Sequence, residues 1–272
     1  MKRILIHHNR KKDTMIVKKK LMKLLRQNGF ILSRENPDII IVIGGDGTML
    51  SAIRKFRLKR IPFLGINTGT LGFLPSVPPQ KPELVVDILK SGDYQLQSYP
   101  LMKVQATTVN GDTLSSYAFN EILIKHLEPR LMEARMYING KPFNYFTGDG
   151  FILSTPIGAT GYAIWAGGVA THSELPVYQI TPLNPNDNSV NRPLKASMVV
   201  PIDTVLDFKI VKAERREVIV ACDGIKVSND YISDLHVQAS DKEVHILRWG
   251  DYDYFELYRN KIIDKNVNRV IF

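Results

Sequence analysis

The sequence predicts a doubly wound α/β domain followed by a β-rich domain. Three observations carry this. The apolar runs "IIIVI" (39–43) and "PFLGI" (62–66) lack the alternation of half-exposed strands, as strands covered on both faces do. Up to residue 98 such runs alternate with segments of helical spacing, the pattern of a parallel sheet wound with helices. After Tyr99 the pattern changes: Asn110-Gly111 and Asn139-Gly140 each sit between alternating apolar residues, the strongest short signal for a β-hairpin.

In order, "RILIHH" (3–8) is the first strand. Residues 14–28 follow as a helix, with Asp13 or Thr14 as the expected N-cap and Gly29 just past the end. Residues 38–44 are the second strand, a glycine turn follows, and "TMLSAIRKF" (48–56) is the second helix. Residues 61–67 read as a third strand and 81–93 as a third helix. Past Tyr99, strands flank both Asn-Gly pairs, and "VIVACDGIKVS" (218–228) and "EVHILRW" (243–249) read as further strands. Pro and Asn crowd residues 181–193, an expected long loop, while the tail "DYDYFELYRNKI" has helical spacing. The expected domains are residues 1–98, with 251–272 packing back on them, and residues 99–250.

The chain has 272 residues, 44% of them apolar, enough for a sizeable core. A single cysteine, Cys222, excludes an internal disulfide and points to a reducing compartment. The apolar run at "MKRILIHH" is too short for a signal peptide, and no stretch approaches the roughly 20 apolar residues of a membrane helix. A soluble, cytoplasmic protein is expected. The net charge of +9 is local: residues 1–26 hold ten Lys or Arg against one acid, and the rest of the chain balances. No aromatic residue interleaves those lysines, so they read as a solvated helix face and not as a nucleic-acid patch.

Gly44, Gly45 and Gly47 join the second strand to the second helix. Glycines let backbone N–H groups approach phosphate, and a helix N-terminus adds positive potential. No Gly-Lys-Ser/Thr follows, so this is not a P-loop, and the spacing is not Gly-x-Gly-x-x-Gly. Asp46 in the middle of the turn is out of place in a passive anion cradle. It is either a helix-capping acid or a reacting group.

"GGDGT" (44–48) resembles the signature of NAD kinases and of their distant relatives, the diacylglycerol and sphingosine-type lipid kinases. Further elements resemble NAD kinases specifically: "NTGTLGFL" (67–74) their second glycine loop, "FNE" (119–121) their Asn-Glu pair, and "GDGFILSTPIGATGYAIWAGG" (148–168) their Asp-Gly…Thr-Pro…Tyr segment. "TPLNPNDNSVNRPL" (181–194) is similar to their Thr-Pro…Asn-Arg-Pro loop, and "CDG" (222–224) to their late Asp-Gly. The chain departs from the family at Ile157, where a small polar residue is usual, and at Gly161 and Ala163, where Ala and Asn are usual. It also carries Thr147 where a basic residue often stands, and lacks the histidine common in the Thr-Pro loop.

The resemblance implies a Rossmann-like N-terminal domain, a β-sandwich-like C-terminal domain, and a homotetramer as in many members. It implies ATP-dependent phosphorylation of the adenosine ribose 2′-hydroxyl of NAD, giving NADP and ADP. Gly44, Gly45, Gly47 and Thr48 would hold the ATP phosphates with Mg²⁺ across the terminal two, and Gly72 and Phe73 of the second loop would also be cofactor-binding. Asp46 would be the catalytic base, with charge neutralised by amides, metal and a basic side chain from elsewhere. Asn120, Glu121, Asp149, Ile157, Thr160, Gly161, Tyr162 and Ala163 would line the NAD site. Asp223-Gly224 is already a good hairpin turn, and Asp223 is kept as a further site candidate. A lipid kinase and a non-enzymatic NAD(H) sensor are the alternatives. No distinct amphipathic membrane segment supports the first, and the retained Asp46 argues against the second.

Overall fold

The computed structural model describes residues 2–57, 59–69, 72–188, 191–250 and 252–264. Thr70 and Leu71 of the second glycine loop, Ser189 and Val190 of the Thr-Pro loop, Asp251 and residues 265–272 lie outside these. The chain divides into two units, Met1–Tyr99 with Lys242–Phe272, and Pro100–Asp241.

In the first unit the strands run in the order Ile31–Leu32, Arg3–His8, Ile39–Ile43, Phe63–Ile66, all parallel. Ile246, near the end of the long strand Ile232–Arg248, adds to Phe63 in parallel. This pairing places residues 242–250 in the first unit, where the sequence reading had put them in the second. Ile39–Ile43 is buried at every position, which is why its sequence shows no alternation. Helices Lys12–Gln27 and Leu84–Ser91 pack a core that includes Leu21, Leu25, Ile41, Leu64 and Val85, and helix Asp46–Phe56 buries Met49, Ala52, Ile53 and Phe56. The first helix begins at Lys12, two residues early. Asn9 Oδ1 accepts the Lys11 N–H at its entry, so neither Asp13 nor Thr14 is the N-cap, and Thr14 is buried against the Thr68 hydroxyl. Gly29 follows the helix with φ +79° as expected, and Lys12, Lys19, Lys20 and Lys23 are exposed.

The second unit is antiparallel. One sheet orders Met198–Pro201, Val177–Leu183, Gly150–Ser154, Glu121–His126, Val218–Cys222 and Ile225–Lys226. Against it lies a second layer that includes Leu206–Ile210, Met132–Ile138, Lys141–Gly148 and the first part of Ile232–Arg248. Phe151 of the first layer stacks on Phe146 at 4.1 Å and on Phe208 at 5.2 Å of the other, the centre of a sandwich core. Asn139 and Gly140 turn the predicted hairpin with φ +50° and +73°. Residues 181–183 finish a strand, so the expected loop starts only at Asn184.

The tail is short helix Tyr254–Tyr258, with the Asp253 carboxylate accepting the Phe255 and Glu256 N–H groups. It then widens into a π-turn, Arg259–Ile263. Tyr254 is buried and stacks near Phe73 at 6.1 Å.

Candidate functional site

In the first unit, strand Ile39–Ile43 delivers the chain to Gly44 and Gly45, and helix Asp46–Phe56 starts at once. Gly45 is the N-cap and no side chain caps the helix, so Asp46 is its first residue and not a capping acid. Its carboxylate turns to the second glycine loop instead. Phe73 N–H donates to Oδ2 and Leu74 N–H to Oδ1, each at 3.1 Å. Lys261 Nζ forms an ion pair with the same Oδ2.

The glycines divide by cause. A Cβ on Gly44 would lie 2.2 Å from Thr48 Oγ1, and one on Gly72 would lie 2.5 Å from Asp46 Oδ1. Both are glycine because the chain packs on itself there. A Cβ on Gly45 or Gly47 meets no described atom within 4 Å, and neither residue has positive φ. Nothing among the described residues requires glycine at these two positions, and the space beside their backbone suits the close approach of a phosphate. Gly69 of the second loop lies against this turn, a Cβ there being 3.6 Å from Gly45 Cα. Thr48 Oγ1 accepts from Asn9 Nδ2 at 3.1 Å.

Behind the Asp46 loop sits Arg248, 1% exposed. Its Nη1 donates to the carbonyls of Phe73 at 2.9 Å and Leu74 at 2.7 Å, the residues whose N–H groups hold Asp46. Nε donates to Gln97, Nη2 to the Tyr99 hydroxyl, and the guanidinium lies 4.2 Å from the Tyr252 ring centre. A planar fork of five donors fits this task, and Lys would not. Arg248 is thus a positioning residue that the sequence reading missed. The signal was a lone charge in the apolar run "VHILRW".

The second unit builds an analogous clamp around Asn120-Glu121. Asp223 turns its hairpin with φ +47°, followed by Gly224 at +78°, and is 6% exposed. Its Oδ1 accepts the N–H of Asn120 at 2.7 Å and of Glu121 at 3.3 Å, and its Oδ2 that of Phe119 at 2.9 Å. On the other side, the Thr155 hydroxyl donates to the carbonyl of Phe119 at 2.7 Å, and Thr155 N–H to that of Asn120 at 2.9 Å. Gly158 presses on the Asn120 backbone, where a Cβ would lie 2.1 Å from its carbonyl oxygen. Asp223 is therefore both hairpin turn and clamp, and its oxygens are spent on the backbone.

Asn120, Glu121 and Gly161 come together: a Cβ on Gly161 would lie 3.7 Å from Glu121 Oε2 and 4.0 Å from Asn120 Nδ2. Thr160 ends a one-turn helix beside them, its hydroxyl donating to the Ile157 carbonyl at 3.4 Å, and Tyr162 is 47% exposed. Two positions face inward instead. Ile157 and Ala163 are buried, so their side chains serve packing. Asp149 stands apart. Glu121 pairs with Ser154, while Gly150 pairs with Lys125 at the other end of the strand, about 13 Å away. There Asp149 accepts from Asn184 Nδ2 at 2.8 Å.

Burial, and then the charge of Asp223, push the Glu121 carboxyl up from 4.5 to about 7. Between these values the folded chain binds a proton that the unfolded chain has lost. Stability therefore falls as pH rises through that window, by at most about 1.4 kcal/mol per pH unit, and levels off above it. Melting temperatures of Glu121→Gln and wild type should converge near pH 4.5 and separate in the variant's favour by pH 7.5. Parallel profiles would contradict this environment for Glu121.

Comparison with known proteins places the two halves in one family. The family model described as ATP-NAD kinase N-terminal domain matches residues 5–94, and the one described as ATP-NAD kinase C-terminal domain matches residues 119–249. The NAD kinase of Leuconostoc mesenteroides is 30% identical over 97% of this chain and 99% of its own length. That of Pediococcus pentosaceus is 31% identical over 96% and 97%. Among solved structures, yeast NADH kinase complexed with NADH superposes with a TM-score of 0.84 at 19% identity, covering 98% of this chain and 88% of that one. An NAD kinase from Archaeoglobus fulgidus in complex with ATP gives 0.74 at 22% identity, covering 95% and 96%. With both domain models matched in order and full-length relatives at this identity, the chain belongs to the NAD kinase family.

Proposed function

We propose that this chain catalyses its family's reaction, phosphorylation of NAD by ATP, at the adenosine ribose 2′-hydroxyl, with Asp46 as general base. The observation that carries the reading is the Asp46 carboxylate. It stands on the first turn of a helix beside Gly45 and Gly47, held at both oxygens by the backbone of a second glycine loop. A base fixed this way needs little reorganisation as a hydroxyl loses its proton.

The turn 44–48 takes the ATP phosphates on backbone N–H groups at the N-terminus of an 11-residue helix. Asn120, Glu121, Thr160, Gly161 and Tyr162 hold NAD, and Asp149 is assigned to a separate part of that site. Among the described residues no cluster of three or more His, Cys, Asp or Glu could hold a metal. A divalent cation such as Mg²⁺ would accordingly rest on the ATP phosphates and water, where it neutralises their charge. No described helix is long and apolar enough to cross a membrane. A cytoplasmic homotetramer is the assembly and location that complete this reading.

The test is a coupled assay for NADP with NAD, ATP and Mg²⁺, with EDTA and diacylglycerol vesicles as further arms. NADP should accumulate, stop with EDTA, and leave the lipid unphosphorylated. Lipid phosphorylation without NADP would reverse the assignment.

A further inference from the structure

The glycine turn has no P-loop lysine, so a side-chain cation that assists the divalent metal in phosphoryl transfer must enter from elsewhere in the chain. We propose that Lys261, on the C-terminal π-turn, is the cation of this phosphoryl-transfer site. The inference rests on the reading of Asp46 as base and of the turn 44–48 as phosphate cradle.

Three observations carry it. Lys261 Nζ is bonded directly to Asp46 Oδ2, across 215 residues of sequence. It is placed there with care: Asp253 caps the short helix, Tyr254 is buried, and the Asp264 N–H donates to the Arg259 carbonyl at 2.8 Å to close the widened turn. A π-turn is rare and frequently marks a functional site. The ammonium also lies 4.6 Å from the Phe73 ring centre, and the Phe73 N–H is itself one of the two donors to Asp46.

The placement divides the carboxylate. Among the described residues, Oδ2 accepts from Phe73 and Lys261 while Oδ1 accepts from Leu74 alone. With two acceptor sites per oxygen, Oδ1 keeps one for the ribose hydroxyl. In the step, the 2′-oxygen bonds to the γ-phosphorus as the bond from that phosphorus to the β-bridging oxygen breaks. That electron pair leaves with ADP, and the hydroxyl proton passes to Asp46 Oδ1. Lys261 remains protonated throughout. Its charge holds Oδ2 and offsets the charge on the transferring phosphoryl group.

The experiment compares Lys261→Ala, Lys261→Arg and Asp46→Asn with the wild type in full-length protein. Turnover, KM for NAD, melting temperature and rescue by added ethylammonium are read for each. Lys261→Ala should lose about 10²–10³ in kcat, with KM for NAD within threefold. Lys261→Arg should stay within tenfold of wild type, and ethylammonium should restore part of the Lys261→Ala rate in proportion to its concentration. A fall in melting temperature with no amine rescue would make Lys261 a packing residue and overturn the proposal. Near-wild-type kcat in Lys261→Ala, with Asp46→Asn inactive, would overturn it while leaving the base intact. An active Asp46→Asn would bring down the base reading and the proposal together.

Discussion

Asp46→Asn is expected to lower turnover by about 10²–10⁴, the usual contribution of a general base, while NAD still binds. The size follows from what asparagine keeps and loses. It keeps the shape and one oxygen, but cannot take the hydroxyl proton. It also turns an NH₂ group toward the N–H of either Phe73 or Leu74, donors that both face Asp46 at 3.1 Å. One of these bonds is lost, and the stability cost should stay within about 1–3 kcal/mol. The loss should therefore fall on kcat, with the NAD dissociation constant within threefold. Turnover near that of the wild type would leave Asp46 as a loop tether only.

The largest effect on the second unit is expected from Asp223→Ala. Asp223 is the acceptor for the N–H groups of Phe119, Asn120 and Glu121, and no water is needed to explain its burial. Removing it leaves these donors facing a gap, at about 1–3 kcal/mol for each that stays dry. It also leaves Phe119 and Asn120 held on the Thr155 side only. Melting temperature and NAD affinity should fall together. Asp223→Asn keeps one acceptor oxygen and tolerates the left-handed φ of +47°, so it should recover a large part of both. An Asp223→Ala protein with unchanged melting temperature and affinity would show that the clamp does not position the pair.

How much of this was legible in the sequence depends on the range of the interaction. Ile39–Ile43, the glycine turn and Asp46 are contiguous, and strand, turn and helix could be read from local pattern. The Asn139-Gly140 hairpin was legible because only a few residue types accept its backbone angles. Gly150–Ser154 was not read as a strand: it is short, opens on a glycine, and lies within the segment 148–168 that was read only for its family motif. The 17-residue strand Ile232–Arg248 was seen only in its last third, since "ISDLHVQASDK" is half polar. The partners of the site residues were hidden for a different reason. Asp223 meets Phe119 across 104 residues, Arg248 meets Leu74 across 174, and Lys261 meets Asp46 across 215. Such pairs are set by how the sheets bring distant segments together, and no periodicity records them. Family resemblance supplied Asn120 and Glu121 and offered Asp223 as a candidate, but not the bonds by which Asp223 holds the pair.

The most direct measurement follows the labelled γ-phosphate of ATP into NAD in a single turnover, with the position of the label determined in the product. Wild-type protein should place it on the 2′-oxygen of the adenosine ribose, and Asp46→Asn, saturated with both substrates, should do so at least a hundredfold more slowly, in keeping with loss of a general base. Label at another position, or equal single-turnover rates in the two proteins, would contradict a reaction centred on Asp46.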